Sequence, residues 1–482
     1  MPASTRIASL DPAACSRAVT SRDPRFDGVF FVGISTTRIY CRPVCPARVS
    51  YPERRTFFES AAAAERHGFR PCLRCRPELA PGRALCDAVP RVARAAAMRI
   101  AAGALNGRGV SDLAEDLGVG ERQLRRAMER ELGVSPLELA QTHRLLLAKC
   151  LLTDTSLPVT RVAFASGFQS LRRFNSVFRE RYRMSPSVLR RRPRAGARAE
   201  APGDTPGDWV RLALAYRAPL AWDALLRAIA ADTPRGIGVV YGSRYGRTVA
   251  ADRCRGVVFL EFAAERAQVM LDVSVSLLPA LMPLLARMRH LLDLDAEPAI
   301  IDAHLAEHGL AALVARRRGL RVPGAFDGFE VALRQLLGPD LHRHVTEALG
   351  EPLATGFPAL NRLSATADRV ADAGAPLLSA LGVPRGRSEA LASLASMVAR
   401  AAIHLEPGAD LRSTLRSLTE IPGLGARSAT AIAARALHWP DIFPSTGFSF
   451  QSAAGVTGRR ALLRLAERWR PWRSYAAAHL SG

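Results

Sequence analysis

Lysine is almost missing from this sequence of 482 residues, in which Lys149 is the only one. A mechanism that needs an active-site lysine at any other position is therefore excluded. Long apolar runs are missing too, because no stretch approaches the roughly 18 apolar residues that a membrane-spanning helix needs. The first residues contain no apolar segment typical of a secretion signal, so we expect a cytoplasmic protein that contacts no membrane.

Acidic residues are too few to balance the basic ones. The 67 Lys and Arg residues against 44 Asp and Glu give a net charge of +23, and the pI is near 11.1. Residues 1–200 hold 35 basic and 18 acidic residues (35 − 18 = +17), whereas the rest hold 32 and 26 (+6). This excess predicts a polyanionic partner, most simply nucleic acid, for the N-terminal part above all.

Four cysteines form two tight pairs, Cys41-x3-Cys45 and Cys72-x2-Cys75. Because cytoplasmic thiols stay reduced, we interpret these residues as metal ligands. Two such pairs complete a tetrahedral Zn²⁺ site, and four thiolates on one Zn²⁺ leave a formal charge of −2 that keeps the sulfurs nucleophilic. An inert structural zinc site remains the alternative. The arginines around the pairs would attract a phosphate backbone; they are Arg38, Arg42, Arg48, Arg70, Arg74 and Arg76.

An internal repeat of fifty residues predicts two helix-turn-helix units joined by a connecting helix at about 136–152. The repeated apolar positions are Leu124, Met128 and Leu132, then Phe174, Phe178 and Tyr182. The opposite face of each second helix offers Arg122, Gln123, Arg125 and Arg126, then Arg172, Arg173 and Asn175. Such side chains can read base edges or hold phosphates. An ordinary solvated helix face is the alternative.

Composition and periodicity divide the chain into five segments. Residues 1–85 are irregular and hold the paired cysteines, and residues 86–192 are helical. Residues 193–208, rich in Pro, Gly and Ala, are predicted to be a flexible linker. Residues 209–322 mix helices with strand-like runs at 256–262 and 267–275, and residues 323–482 are helical again. We therefore predict a multidomain α+β protein: a small zinc domain, an all-α double helix-turn-helix domain, an α/β subdomain and a helical domain.

The last helical segment contains the tetrapeptide Pro422-Gly423-Leu424-Gly425 between two apolar-periodic helices. Its glycines permit a tight turn whose backbone N–H groups face outward. Such a hairpin can hold a DNA phosphate through Gly423 and Gly425, often with a monovalent cation on its carbonyls. A simple turn between helices is the alternative.

The N-terminal motifs resemble those of two known families. TTRIYCRPVCPAR (36–48) with GFRPCLRCRPE (68–78) resembles the N-terminal domain of Ada-type DNA repair sensors, and the repeat is similar to the AraC-type helix-turn-helix domain. The resemblance implies that Cys41 accepts a methyl from a DNA methylphosphotriester, with Cys45, Cys72 and Cys75 as further zinc ligands. Methylation would remove one negative charge and tighten binding to DNA, including a promoter. RNA polymerase is a further expected partner. Arg38 departs from the family, which usually has Gly there.

Residues 209–480 resemble the AlkA family, DNA-3-methyladenine glycosylase II, in segments from WVRLALAYRAPLAWDALL to ERWRPWRSYAAAHL. The resemblance implies an α/β subdomain and a helix-hairpin-helix domain that flips an alkylated base and cleaves its glycosidic bond. Three positions depart from the family. Gly447 stands where the catalytic Asp belongs, Arg427 replaces the pocket tryptophan, and Asp340 stands at the apolar wedge. Loss of such a carboxylate typically costs roughly 10²- to 10³-fold in rate.

Three functional hypotheses follow. The first is an alkylation-damage sensor and transcription regulator that also excises alkylated bases. The second keeps the sensor and regulator but makes the C-terminal half a catalytically inactive DNA-binding module. The third is a zinc-stabilised DNA-binding regulator without methyl chemistry.

Overall fold

The structure, a computed structural model, describes residues 11–82, 91–190, 209–443 and 448–481. The chain divides into two compact units. Unit 1 contains Met1–Arg83, Asp87–Ala215 and Leu278–Ala286; unit 2 contains Ala84–Cys86, Tyr216–Leu277 and Arg287–Gly482. The predicted linker at 193–208 lies outside the described residues. Within the described ranges, no helix combines the length and the hydropathy that crossing a bilayer requires.

Unit 1 begins with a small mixed domain. Its elements are α1 (Pro12–Ser21), β1 (Phe31–Ile34), β2 (Ile39–Cys41), β3 (Arg55–Phe58), α2 (Ala61–Arg66) and β4 (Arg70–Pro71). The sheet order is β3-β1-β2-β4. The prediction that residues 1–85 are irregular is therefore wrong for the described part, because strands of two to four residues are too short to show a period in the sequence.

Two helix-turn-helix units follow, as predicted. Their elements are α3 (Arg91–Ala101), α4 (Val110–Asp116), α5 (Glu121–Leu132), α6 (Pro136–Asp154), α7 (Val159–Ala165), α8 (Leu171–Tyr182) and α9 (Pro186–Arg190). The strand β5 (Trp209–Ala215) also belongs to unit 1. The connecting helix α6 begins at a capping box, in which Ser135 and Glu138 exchange hydrogen bonds. The repeated apolar side chains are buried at both copies, with Leu124 and Phe174 fully enclosed.

The next elements mix strands and helices. They are α10 (Trp222–Asp232), β6 (Gly238–Tyr241), β7 (Arg244–Ala251), β8 (Cys254–Ala263), β9 (Gln268–Ser274), α11 (Leu281–Leu291), α12 (Pro298–Leu305) and α13 (Ala311–Arg316). In unit 2, β6, β7, β8 and β9 pair in sequence order as an antiparallel meander. Strands β8 and β9 confirm the two strand-like runs read from the sequence.

The remainder of unit 2 is helical. It contains α14 (Gly328–Leu349), α15 (Ala367–Ala380), α16 (Arg385–Ala399), α17 (Leu411–Thr419), α18 (Ala426–Ala436), α19 (Phe448–Ala453), α20 (Arg459–Ala466) and α21 (Arg473–Leu480). Leucines and alanines of α14, α16 and α18 share one core, and Trp469 and Trp472 lie in a second. The multidomain α+β class is confirmed, while the exact domain boundaries stay predictions.

Candidate metal centre and DNA-binding surfaces

Sheet pairing brings the two cysteine pairs together. Strands β2 and β4 run parallel, with Ile39 opposite Arg70 and Tyr40 opposite Pro71. The next residues along the two strands are Cys41 and Cys72, and the Cys72 amide donates to the Tyr40 carbonyl at 2.9 Å. The sulfurs of Cys41, Cys45, Cys72 and Cys75 all lie within 4.8 Å of one another. A tetrahedron with Zn–S bonds of about 2.3 Å has edges of about 3.8 Å, so this donor set fits Zn²⁺.

The four sulfurs differ in exposure and in hydrogen bonding. Cys72 and Cys75 are buried, whereas Cys41 and Cys45 are half-buried. The amide of Arg74 donates to Cys72 Sγ and that of Arg42 to Cys75 Sγ, each at 3.3 Å. Such N–H···S bonds stabilise a thiolate and weaken it as a nucleophile. All four sulfurs can hold the metal, and the two half-buried ones are also accessible from solvent.

Cys41 and Cys45 are distinguished by a backbone contact. The backbone amide of Ala47 donates a hydrogen bond to the Cys45 side chain. Because that bond stabilises the Cys45 thiolate and weakens it as a nucleophile, Cys41 is the candidate methyl acceptor of the half-buried pair.

The predicted arginine belt has two parts. Arg42 is bound internally: its Nε donates to Asp27 Oδ1 at 2.8 Å, and its Nη1 donates to the Cys75 carbonyl at 3.1 Å. Arg76 is also bound internally, in ion pairs with Glu78 and Asp154. Asp27 was missed in the sequence, because it lies far from the cysteine motif and carries no local signal. The belt members left at the surface are Arg38, Arg48 and Arg74, with Arg70 half-buried.

The predicted DNA-reading side chains lie on the accessible faces of α5 and α8. Arg122, Gln123, Arg126, Arg172 and Arg173 are exposed, and Arg125 and Asn175 are half-buried. Arg125 is held by Glu121 one turn earlier, at 2.5 Å. The open surface of α8 and its C-cap is lined by Leu171, Arg172, Asn175, Ser176, Arg179, Glu180 and Arg183. These positions are compatible with contact to a nucleic acid at both units.

The glycine hairpin joins α17 and α18 as expected. Gly423 has a φ of +83°, and a Cβ placed there would lie 2.8 Å from the Gly386 carbonyl oxygen. Gly425 is the N-cap of α18 and faces open space. A glycine is therefore required at 423 by the fold, whereas at 425 it leaves the helix N-terminus open to a ligand.

The structure describes two of the three positions that depart from the glycosylase pattern. Gly447 lies outside the described residues. Arg427 is exposed on the first turn of α18, and Asp340 is exposed beside a kink of α14 at Gly338, where φ is +73°. Asp441 is held by Arg470 and Arg473, at 2.6 Å in each case. Asp441 is thus an ion-pair partner that braces the chain after α18.

Three family models match the chain. They are the metal binding domain of Ada over residues 14–78, a helix-turn-helix domain over residues 113–192, and the AlkA N-terminal domain over residues 211–327. Together with the cysteine cluster and the glycine hairpin, they define a modular protein in which an Ada-type metal-binding domain and a helix-turn-helix domain precede an AlkA-type region.

Curated relatives cover the same regions. The probable bifunctional transcriptional activator/DNA repair enzyme AlkA of Mycobacterium tuberculosis is 36% identical over 479 residues, which cover 97% of this chain and 95% of that protein. DNA-3-methyladenine glycosylase 2 of Escherichia coli is 33% identical over 55% of this chain and 95% of its own length. The Ada enzyme of Escherichia coli is 47% identical over 13% of this chain and 18% of its own. The chain therefore belongs to the family of bifunctional transcriptional activator/DNA repair proteins of the AlkA type.

Proposed function

We propose that this protein repairs DNA methylphosphotriesters by transferring the methyl group to Cys41, and that it regulates transcription in response. The observation that carries the proposal is the difference among the four sulfurs. Cys72 and Cys75 are buried and accept backbone N–H bonds, Cys45 accepts the backbone amide of Ala47, and Cys41 is half-buried. Exposed arginines of the belt would hold the phosphate backbone beside this sulfur.

The proposed step is a direct displacement. The Cys41 thiolate attacks the methyl carbon, a C–S bond forms, and the C–O bond to the phosphate oxygen breaks. The electron pair leaves with that oxygen, so the triester becomes an ordinary phosphodiester anion and the cysteine becomes a thioether. When bound by the four cysteines, Zn²⁺ would keep the sulfurs deprotonated at neutral pH. The transfer is stoichiometric in this proposal: the thioether is a stable product, so each molecule acts once.

The regulatory part follows from charge. Methylation of one sulfur removes one negative charge from a surface that faces a polyanion, which strengthens DNA binding. The exposed Arg, Gln and Asn side chains of α5 and α8 would then read the promoter. We include RNA polymerase as a partner and the cytoplasm as the compartment in this proposal.

Mass spectrometry tests the transfer. After incubation with a duplex that carries one methylphosphotriester, the peptide containing Cys41 is expected to gain one methyl group. Cys41→Ser should abolish the gain of the methyl group. In Cys45→Ser, the methyl group should still be found on Cys41. Zinc content is measured for each variant, because loss of a ligand weakens the site. A zinc-loaded wild-type protein whose Cys41 stays unmodified would support the regulator without methyl chemistry.

We further propose that unit 2 binds alkylated DNA through the hairpin at residues 422–425, where a monovalent cation would assist, and that its base excision is slow. Two observations support slow excision. The sequence has Gly447 in place of the expected carboxylate, and the nearby Asp441 is occupied by two arginines. A developing oxocarbenium charge therefore lacks the group that usually stabilises it.

Base release from methylated duplex DNA, compared between wild type and Gly447→Asp, tests this second part. The aspartate is expected to raise the rate by roughly 10²-fold or more. Complete absence of release from wild type, with rescue by Gly447→Asp, would assign unit 2 as a catalytically inactive DNA-binding module. Rapid wild-type release that Gly447→Asp leaves unchanged would show that another group supplies the charge.

A further inference from the structure

The only lysine of the chain is buried beside the metal-ligand loop. Lys149 lies on the connecting helix α6, and its side chain is 1% exposed. Its Nζ donates to the Cys72 carbonyl at 3.2 Å and forms a short ion pair with Glu78, whose side chain is 4% exposed. One side chain of the helix-turn-helix domain thus holds both the ligand residue Cys72 and Glu78, which lies three positions beyond the last ligand.

The ion pair continues into a longer network. Glu78 also accepts a hydrogen bond from Arg76 Nε at 3.0 Å, and Arg76 Nη2 reaches Asp154 on α6 at 2.5 Å. Arg76, which directly follows the ligand Cys75, has a φ of +54°, a left-handed conformation that costs a non-glycine residue free energy. The loop therefore keeps Arg76 in a strained conformation, from which its side chain contacts the carboxylates of Glu78 and Asp154.

The ion-pair network around Lys149 is balanced in charge. Lys149 and Arg76 are matched by the carboxylates of Glu78 and Asp154, so the network carries no net charge. It does not offset the −2 charge of a zinc–tetrathiolate centre. A buried, charge-balanced network of this kind adds little net stability compared with apolar residues, but it fixes geometry.

Helix α6 in turn holds both DNA-reading helices. Tyr182 at the end of α8 donates through its hydroxyl to the Leu145 carbonyl of α6 at 3.2 Å. Leu124 and Met128 of α5 share one core with Leu139 and Ala140 of α6. A displacement of α6 relative to the metal-ligand loop would therefore shift both reading helices relative to Cys41.

We propose that Lys149 is a positioning residue that locks the metal-ligand loop onto α6, so that Cys41 and the two reading helices engage one DNA duplex as a single body. The inference rests on the proposed methyl transfer. Its consequence is that the gain in DNA affinity on methylation of Cys41 depends on Lys149 and Glu78, although neither touches the methyl group.

The test uses the full-length protein with Lys149→Met and Glu78→Met combined. Removing both partners avoids leaving an unpaired buried charge. Transfer is measured by the mass of the Cys41 peptide after exposure to a methylphosphotriester duplex. Binding to an unmodified duplex of roughly 30 base pairs, or three helical turns, is then measured with methylated and unmethylated protein across a salt titration.

Wild type and the double variant should both accept the methyl group. The double variant is expected to show an affinity gain on methylation that is smaller by about tenfold, as when two linked contacts no longer engage together. Its salt dependence should also be shallower, since fewer phosphates are contacted at once. Zinc content and unfolding midpoint report on the fold of each variant.

Two further variants sharpen the result. Glu129→Gln removes an exposed ion pair with Arg66, at 2.8 Å, which also joins the metal-binding domain to α5; this control should keep the full gain. Asp154→Asn weakens the outer, 21% exposed end of the network and should give an intermediate loss if the double variant fails to fold. A methylated double variant with the wild-type gain and salt dependence overturns the inference alone. An unmethylated Cys41 in wild type overturns the proposed function, and this inference with it.

Discussion

Replacing Arg42 and Arg74 by glutamine, one at a time, is expected to separate the two roles of the arginines around the metal centre. Each residue lies inside a cysteine pair, Arg42 directly after Cys41 and Arg74 directly before Cys75. In the structure, Arg42 is mostly enclosed and paired with Asp27, whereas Arg74 is exposed. The first substitution should therefore act on folding, and the second on DNA binding.

The expected magnitudes follow from burial. The Arg42 and Asp27 side chains are 16% and 8% exposed. Removing one partner of such a buried pair costs about 3–5 kcal/mol, because the other charge is left unpaired. Arg42→Gln also removes the donor to the Cys75 carbonyl, which is part of a ligand residue. Since domains are stable by only about 5–15 kcal/mol, we expect a large loss of folded, zinc-loaded protein.

Arg74→Gln changes an exposed side chain and should leave stability within about 0.5 kcal/mol of wild type. If Arg74 contacts a phosphate, its removal lowers the slope of log affinity against log salt concentration by about 0.9. The loss should be equal for all duplex sequences, because a phosphate contact carries no base information.

Urea unfolding and zinc content measure the first effect, and a salt titration of binding to a duplex measures the second. Arg42→Lys is the control that retains the positive charge beside Asp27. The reasoning is refuted if Arg42→Gln unfolds like wild type, or if Arg74→Gln binds DNA with an unchanged salt slope.

Three other expectations concern stability and the hairpin. Burial lowers the pKa of His342 to about 4 from 6.5, so the unfolded chain takes up a proton there first and stability falls as the pH drops from 6.5 towards 4. The loss should reach about 2 kcal/mol at pH 5 and disappear in His342→Met but not in the exposed His344→Met, as urea unfolding at each pH would report. Burial raises the pKa of Glu65 above 4.5. The folded protein therefore loses stability as the pH rises from 4.5 through the raised pKa, because the buried carboxyl group becomes ionised. Glu65→Gln should raise the melting temperature at pH 8 but not at pH 4. Gly423→Ala should destabilise unit 2, because of the positive φ and the close carbonyl. Gly425→Ala should leave the melting temperature unchanged and weaken DNA binding, as a binding titration would show.

The sequence was sufficient for features that depend on local spacing. The cysteine pairs, the repeat and the hairpin each occupy a short stretch with a chemical or helical period, and the structure has them at the expected residues. Helix α6 was placed at about 136–152 and runs from Pro136 to Asp154. Its capping box, formed by Ser135 and Glu138, is encoded within a few residues.

Features that depend on residues distant in sequence could not be read in the same way. The partner of Arg42 is Asp27, and the partners of Lys149 are Cys72 and Glu78, more than seventy residues away. Each of these residues is ordinary in its local context, and only the packing of the metal-binding domain on α6 brings them together. Counting arginines near the cysteines therefore overestimated the charge available to DNA.

The fold gives four cysteine ligands of the same type different surroundings, and these surroundings set their reactivity. Parallel pairing of β2 with β4 sets Cys41 beside Cys72, and the loops that follow carry Cys45 and Cys75. The backbone then supplies N–H donors to the buried sulfurs of Cys72 and Cys75. A thiolate stabilised in this way is a good ligand and a poor nucleophile, so the backbone can give four metal ligands different reactivity without any change of residue type. In the proposed function, a single methyl group on Cys41 would change the charge of the face that meets DNA, while the two buried ligands would keep their backbone hydrogen bonds.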